Sequence, residues 1–131
     1  MESMFIKDPT IKILRNTDGW LLATEGEVLL IGGAIQGIVV IPEGFYTNFA
    51  NVPLLFRGVI RVNGKHRFAA LLHDYMYSVR GNVVTKQGIR VNFSRKECDL
   101  IFLKEMGFSK VNFIKRKIMY RIVRLFGGKS W

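Results

Sequence analysis

The sequence predicts an α+β fold: a small N-terminal antiparallel sheet followed by three helices, with a hairpin between the first two helices. Three observations predict it. Short runs rich in Ile, Val and Leu fill the first third of the chain and are divided by turn formers. From about residue 65 the apolar residues recur at helical spacing instead. The chain has 131 residues, 49% of them hydrophobic, enough for one core and hard to divide between two. A single domain is therefore expected over 1–131, mainly β to residue 43, loop over 44–64 and mainly helical over 65–131.

The elements follow in order. "MFIK", "IKIL", "WLLAT", "EVLLI" and "GIVVIP" read as strands, with Asp18-Gly19, Glu25-Gly26 and Gly32-Gly33 as turns between them. The apolar tract 28–42 is broken by Gln36 and three glycines. A membrane span needs about 20 apolar residues, so two strands joined by a turn fit this tract better. "EGFYTNFANVPLLFRG" is loop-like, with Pro53 and several small polar residues. In "KHRFAALLHDYMY" (65–77), Phe68, Leu71, Leu72, Tyr75 and Met76 share one broad face of a first helix. "SVRGNVVTKQGIRVNF" reads as a hairpin with Gly81 and Gly88 as breakers. A second helix starts at the capping box Ser94–Glu97 and stops at Gly107. Ser109 caps a third, whose Val111, Ile114, Ile118, Ile122 and Leu125 form a core stripe and which ends at Gly127-Gly128.

Composition narrows the class. The lone cysteine, Cys98, excludes an internal disulfide and reads as a small core residue, with a reactive thiol as the alternative. The start, "MESMFIKDPT", carries acid and polar residues where a signal peptide needs a basic start and an apolar stretch. A soluble protein kept inside a cell, with no transmembrane segment, is expected. The net charge is +10, and residues 107–131 hold seven of the twenty basic residues and no acid. That end of the chain is the electrostatic face.

Two acids stand out from the rest. Asp99 precedes Phe102, Leu103 and Met106 by three, four and seven residues, which places it on their face of the second helix. An unpaired carboxylate in a core costs several kcal/mol, so an inward Asp99 needs a partner, and His73 on the first helix is the best donor. A histidine held this way has a fixed tautomer and suits a general base. Asp74 points about 100° away from His73, cannot share its contacts, and could face a cation or the preceding loop instead. Tyr77 lies one turn after His73 on the same face, and Ala69 and Ala70 leave room for a close neighbour. The same residues also fit a purely structural bridge between two helices, with Asp74 solvated. His66, between Lys65 and Arg67, reads as an exposed helix-start residue. Phosphate-loop, Cys/His metal, HExxH and GxSxG patterns do not occur.

"GFYTNFANVP" (44–53), "AALLHDYMY" (69–77), "SRKECDLIF" (94–102) and "IMYRIVRLFGGKSW" (118–131) together resemble a family of short phage and prophage proteins catalogued as a domain of unknown function. That family's pattern runs Gly-Phe-x-Thr-Asp-Phe-Ala-Ser-Val-Pro, Leu-His-Asp-Tyr-x-Tyr, Ser-Arg-x-x-x-Asp-x-x-Phe and a Trp-ended helix. The resemblance covers about residues 38–131 and implies a phage or prophage origin, hence the host cytoplasm or the virion as location. It implies no activity. Asn48 stands where the family usually has Asp, so a metal held there would keep an oxygen ligand but be bound more weakly. The hairpin over 79–93 is longer than the family's usual connection.

"HDYMY" followed by Asp99 is also similar to the His-Asp-x-x-Tyr … Asp arrangement of calcium-dependent secreted phospholipases. That looser resemblance implies His73 as base, Asp74 as Ca²⁺ ligand and Asp99 as the carboxylate orienting the base. The phospholipases' disulfides and glycine-rich calcium loop are missing here.

On the third helix, Lys115, Arg116, Lys117, Arg121 and Arg124 surround the apolar stripe. A core-packing helix with a solvated basic face is the plain reading; nucleic acid, an anionic lipid surface or an acidic protein are the partners it would suit. The leading expectation is non-enzymatic: a virion, morphogenesis or host-interaction component, partnered by a phage structural or host protein, in which His73, Asp74 and Asp99 form a buried polar network. The alternatives are a His/Asp hydrolase of a lipid ester or phosphodiester using His73, Asp99 and Tyr77, with Ca²⁺ on Asp74 and Asn48, and a nucleic-acid-binding module built on the basic helix.

Overall fold

The structure, a computed structural model, describes residues 2–7, 9, 11–13, 20–22, 24–32, 35–47, 67–108 and 112–131. Six strands come first: β1 (Glu2–Lys7), β2 (Ile11–Ile13), β3 (Trp20–Leu22), β4 (Gly26–Gly32), β5 (Ile35–Ile41) and β6 (Tyr46–Thr47). Helix α1 (Arg67–Ser78), the hairpin β7 (Asn82–Val84) and β8 (Arg90–Asn92), helices α2 (Arg95–Phe108) and α3 (Phe113–Phe126) and a short 3-10 turn (Gly127–Ser130) follow. The α+β order is the one expected, with three helices and a hairpin between the first two.

The N-terminal strands make two small antiparallel sheets rather than one, ordered β1-β4-β5 and β2-β3-β6. β4 and β5 pair along their whole length, Gly26 opposite Ile41 and Gly32 opposite Ile35, which confirms two strands over 28–42. Alternate residues Val28, Leu30, Val39 and Ile41 are buried, while Leu29 and Val40 between them are half-buried, so one face of this sheet meets the core. Tyr46 and Thr47 lie in the expected loop but pair with Leu21 and Trp20, because the turn at Pro42–Phe45 folds the chain back onto β3. The rest of that loop, with Asn48 and Pro53, lies outside the described residues, as do His66, Ser109 and Val111.

Helices α1 and α2 run antiparallel, with Tyr77 facing Arg95 and His73 facing Asp99. Leu71, Leu72 and Met76 of α1 and Cys98 and Ile101 of α2 join the buried sheet residues in the main core. A second cluster holds Ala69, Ala70, Phe102, Met106, Met119 and Val123 and unites all three helices. Helix α1 ends with Arg80 at a φ of 53° and Gly81 at 76°, Arg80 N donating to Tyr77 O and Gly81 N to Met76 O. This pair of bonds satisfies the last carbonyls and turns the chain into the hairpin. The hairpin docks on β5 through Lys86 N to Ile38 O, and Gly37 lets Thr85 approach closely: a Cβ there would lie 2.6 Å from Thr85 Cγ2 and push that side chain aside.

The capping box of α2 is present in both directions, Ser94 N to Glu97 Oε1 at 2.9 Å and Glu97 N to Ser94 Oγ at 3.1 Å. Helix α2 runs one residue past Gly107, whose missing side chain leaves room for the Arg116 guanidinium.

Helix α3 departs from the reading of its sequence. Asn112, not Ser109, caps it, with Oδ1 accepting from Ile114 N and Lys115 N. Its buried residues are Met119 and Val123, whereas Ile114, Ile118 and Leu125 of the expected core stripe are exposed. The helix carries two apolar stripes, and periodicity cannot rank them. Packing against the small Ala69 and Ala70 selects Met119 and Val123, and hydrogen bonds from α2 to the helix end hold that rotation.

Candidate functional site

Burial of the apolar faces of α1 and α2 carries His73, Tyr77 and Asp99 inward, because each shares a helical face with core residues. His73 is 2% exposed and Asp99 0%. The two residues expected to pair do so: His73 Nε2 lies 2.7 Å from Asp99 Oδ1. Tyr77 donates its hydroxyl to the same oxygen at 2.6 Å. Asp99 Oδ2 accepts from Arg124 Nη1 of α3 at 2.8 Å. One carboxylate thus gathers a donor from α1, a second from the next turn of α1, and a third from α3.

The electrostatics follow from this shell. Burial pushes the Asp99 carboxyl up, but the hydrogen bonds from His73, Tyr77 and Arg124 outweigh it and hold the group below the usual aspartate range. Burial and then the hydrogen bond to Asp99 push the Tyr77 phenol well above its usual value, so its hydroxyl keeps its proton and donates. With Asp99 ionised, the contact to His73 requires a proton on Nε2, since a bare nitrogen and a carboxylate would both be acceptors. Neutral His73 therefore carries its lone pair on Nδ1. Its ring lies between Tyr77 and Phe102, with centroids 4.2 and 4.6 Å away. These contacts fix the plane of the imidazole.

Two arginines and a tryptophan complete the site, and sequence reasoning assigned none of them to it. Arg95, the first residue of α2, sends Nε to the Tyr77 hydroxyl at 3.1 Å and Nη2 to the carbonyls of Val123 and Arg124. It satisfies carbonyls at the negative end of α3 and joins that end to Tyr77. Arg124 belongs to the predicted basic surface, yet its side chain is 32% exposed and points its guanidinium at Asp99. Trp131 packs edge-on against Tyr77, with centroids 5.2 Å apart. A signal for these partners did exist in the sequence: an inward Asp99 has two oxygens, and one histidine satisfies only one of them. The Ser94-Arg95 pair also opens one of the motifs above.

The other expected residues are placed as follows. Asp74, the residue after His73, is half-buried and has an interaction partner. Asn48 is outside the described residues. Among the described residues no group of three or more His, Cys, Asp or Glu is arranged to hold a metal ion. Lys115, Lys117 and Arg121 are exposed on α3, and Arg116 is half-buried with its guanidinium 5.2 Å from the Phe113 ring centroid. Cys98 is buried, as expected for a core residue, and burial and then the charge of Asp99 push its thiol up to about 12. No described helix is long and apolar enough to cross a membrane.

Neither the curated proteins nor the solved structures contain a match to this chain. A family model does match, over residues 27–123, a span that runs from β4 into α3 and includes His73, Tyr77, Arg95 and Asp99. The chain belongs to the family described as "Protein of unknown function (DUF1353)".

Proposed function

We propose that the protein is a His/Asp-dependent hydrolase of an ester or phosphodiester, with His73 as general base. The observation that carries this reading is the His73 Nε2–Asp99 Oδ1 hydrogen bond, which leaves Nδ1 as the proton acceptor of a ring held by Tyr77 and Phe102. In this reading Nδ1 takes a proton from water as its oxygen bonds to the ester carbon or phosphorus. Ionised Asp99 stabilises the imidazolium that forms. Nδ1 then returns the proton to the leaving oxygen as its bond to that atom breaks. Tyr77 and Arg124 are positioning residues that hold Asp99, and Arg95 holds the Tyr77 hydroxyl. A phage or prophage setting, in which such an activity would act inside the host or from the virion, accords with the sequence motifs.

The test pairs hydrolysis with stability. His73→Gln keeps a side-chain N–H that can reach Asp99 but removes the base. Loss of hydrolysis of phosphatidylglycerol or bis(p-nitrophenyl) phosphate by about 10²- to 10⁴-fold, with the melting temperature nearly kept, is expected.

A second reading has its own observation. His73 and Asp99 are almost wholly buried, and both Asp99 oxygens are already engaged. This favours a structural network in a non-enzymatic virion, morphogenesis or host-interaction component. No turnover by the parent protein, together with a large loss of stability in His73→Gln, would support that reading and remove the first.

A further inference from the structure

We propose that the outward face of α3 docks on an anionic lipid surface. The inference rests on this face alone and stands whether or not His73 is a base. Phe113, Ile114, Ile118, Leu125 and Phe126 are between 44% and 75% exposed, an unusual concentration for a 14-residue helix. At about 100° per residue, Ile114, Ile118 and Leu125 fall within one narrow stripe, on the far side of the helix from buried Met119 and Val123. Lys117 and Arg121 flank the stripe on one side and Lys115 on the other, all exposed. Residues 107–131 contain no acid, so nothing on this segment offsets their charge.

The chemistry of this face selects its occupant. A polyphosphate backbone would be met by the cations alone and would leave three aliphatic side chains in water. An acidic protein partner would need an apolar stripe of its own set between two rows of acids. A negatively charged bilayer supplies both halves: headgroup phosphates for the cations and acyl chains for the aliphatic residues. Long lysine and arginine side chains reach up to the headgroups while the stripe sinks between them. Arg124 is excluded from the docking set because its guanidinium is held by Asp99.

Vesicle co-sedimentation tests this with the full chain. The protein should pellet with vesicles of equal phosphatidylglycerol and phosphatidylcholine and stay in the supernatant with phosphatidylcholine alone. Lys115→Gln/Lys117→Gln/Arg121→Gln should weaken binding about 100-fold, from roughly fivefold per cation. Ile114→Ser/Ile118→Ser/Leu125→Ser should weaken it at least tenfold with little change in melting temperature. His73→Gln should bind as the parent does, which separates this proposal from hydrolysis. Equal binding to neutral vesicles, or none to anionic ones, would overturn it. So would tight duplex-DNA binding indifferent to the serine variant, or a dimer in sedimentation equilibrium that the serine variant dissociates. A fall of many degrees in the serine variant's melting temperature would show the stripe to be covered by the chain itself, and would also overturn it.

Discussion

Arg124 of α3 donates Nη1 to Asp99 Oδ2 of α2 at 2.8 Å, on the carboxylate whose other oxygen receives His73 and Tyr77 of α1. The pair joins the most basic helix to the most buried acid. The same contact ties α3 to the site and adds to the hydrogen bonds from His73 and Tyr77 that keep Asp99 ionised.

Removing the charge of Asp99 should therefore cost more than removing that of Arg124. Asp99→Asn leaves three donors converging on a neutral amide and should lower the free energy of unfolding by about 3–5 kcal/mol. Arg124→Met leaves the carboxylate with two donors and removes a charge whose side chain is already 32% exposed, so about 1–2 kcal/mol is expected. Urea unfolding of the two single variants and the double variant checks this, and the double should lose clearly less than the sum.

Acid should act through the same group. The Asp99 carboxyl is held below its usual range in the folded chain, so below about pH 4 the unfolded chain binds more protons than the folded one. The stability due to Asp99 is fully present above that pH and is lost as pH falls through the lower folded value. Melting curves between pH 7 and 2.5 should show this decline, and Asp99→Asn should flatten it.

The Cys98 thiol is buried with its pKa pushed up to about 12, so thiolate is scarce and shielded in the folded chain. Iodoacetamide at pH 8 should leave it unmodified for hours, with full labelling in 6 M guanidinium. Mass spectrometry reads the difference.

Gly81 and Gly88 have similar positive φ, 76° and 86°, but different surroundings. A Cβ on Gly88 meets nothing within 4 Å, while one on Gly81 would lie 1.9 Å from Phe93 O. Gly88→Ala should cost only the backbone strain, about 1–2 kcal/mol. Gly81→Ala must also displace the backbone at Phe93, just after β8, and should cost at least twice as much in thermal or urea unfolding.

The α+β order, the β4–β5 pairing, the hairpin between α1 and α2, the capping box and the His73–Asp99 contact are all legible in the amino-acid sequence. Each of these is written in local spacing or in one strong rule, that a carboxylate on a core face needs a donor. The remaining features depend on how distant segments pack. That packing turned Met119 and Val123 of α3 inward and Ile118 and Leu125 outward, since both stripes have helical period and only the shape of the α1–α2 surface separates them. It also drew Arg124 from the basic surface to Asp99 and placed Arg95 on the end of α3. Those partners lie 25 and 28 residues apart in the chain, beyond the reach of any periodicity, and come together because three helices share one buried carboxylate and one small apolar core.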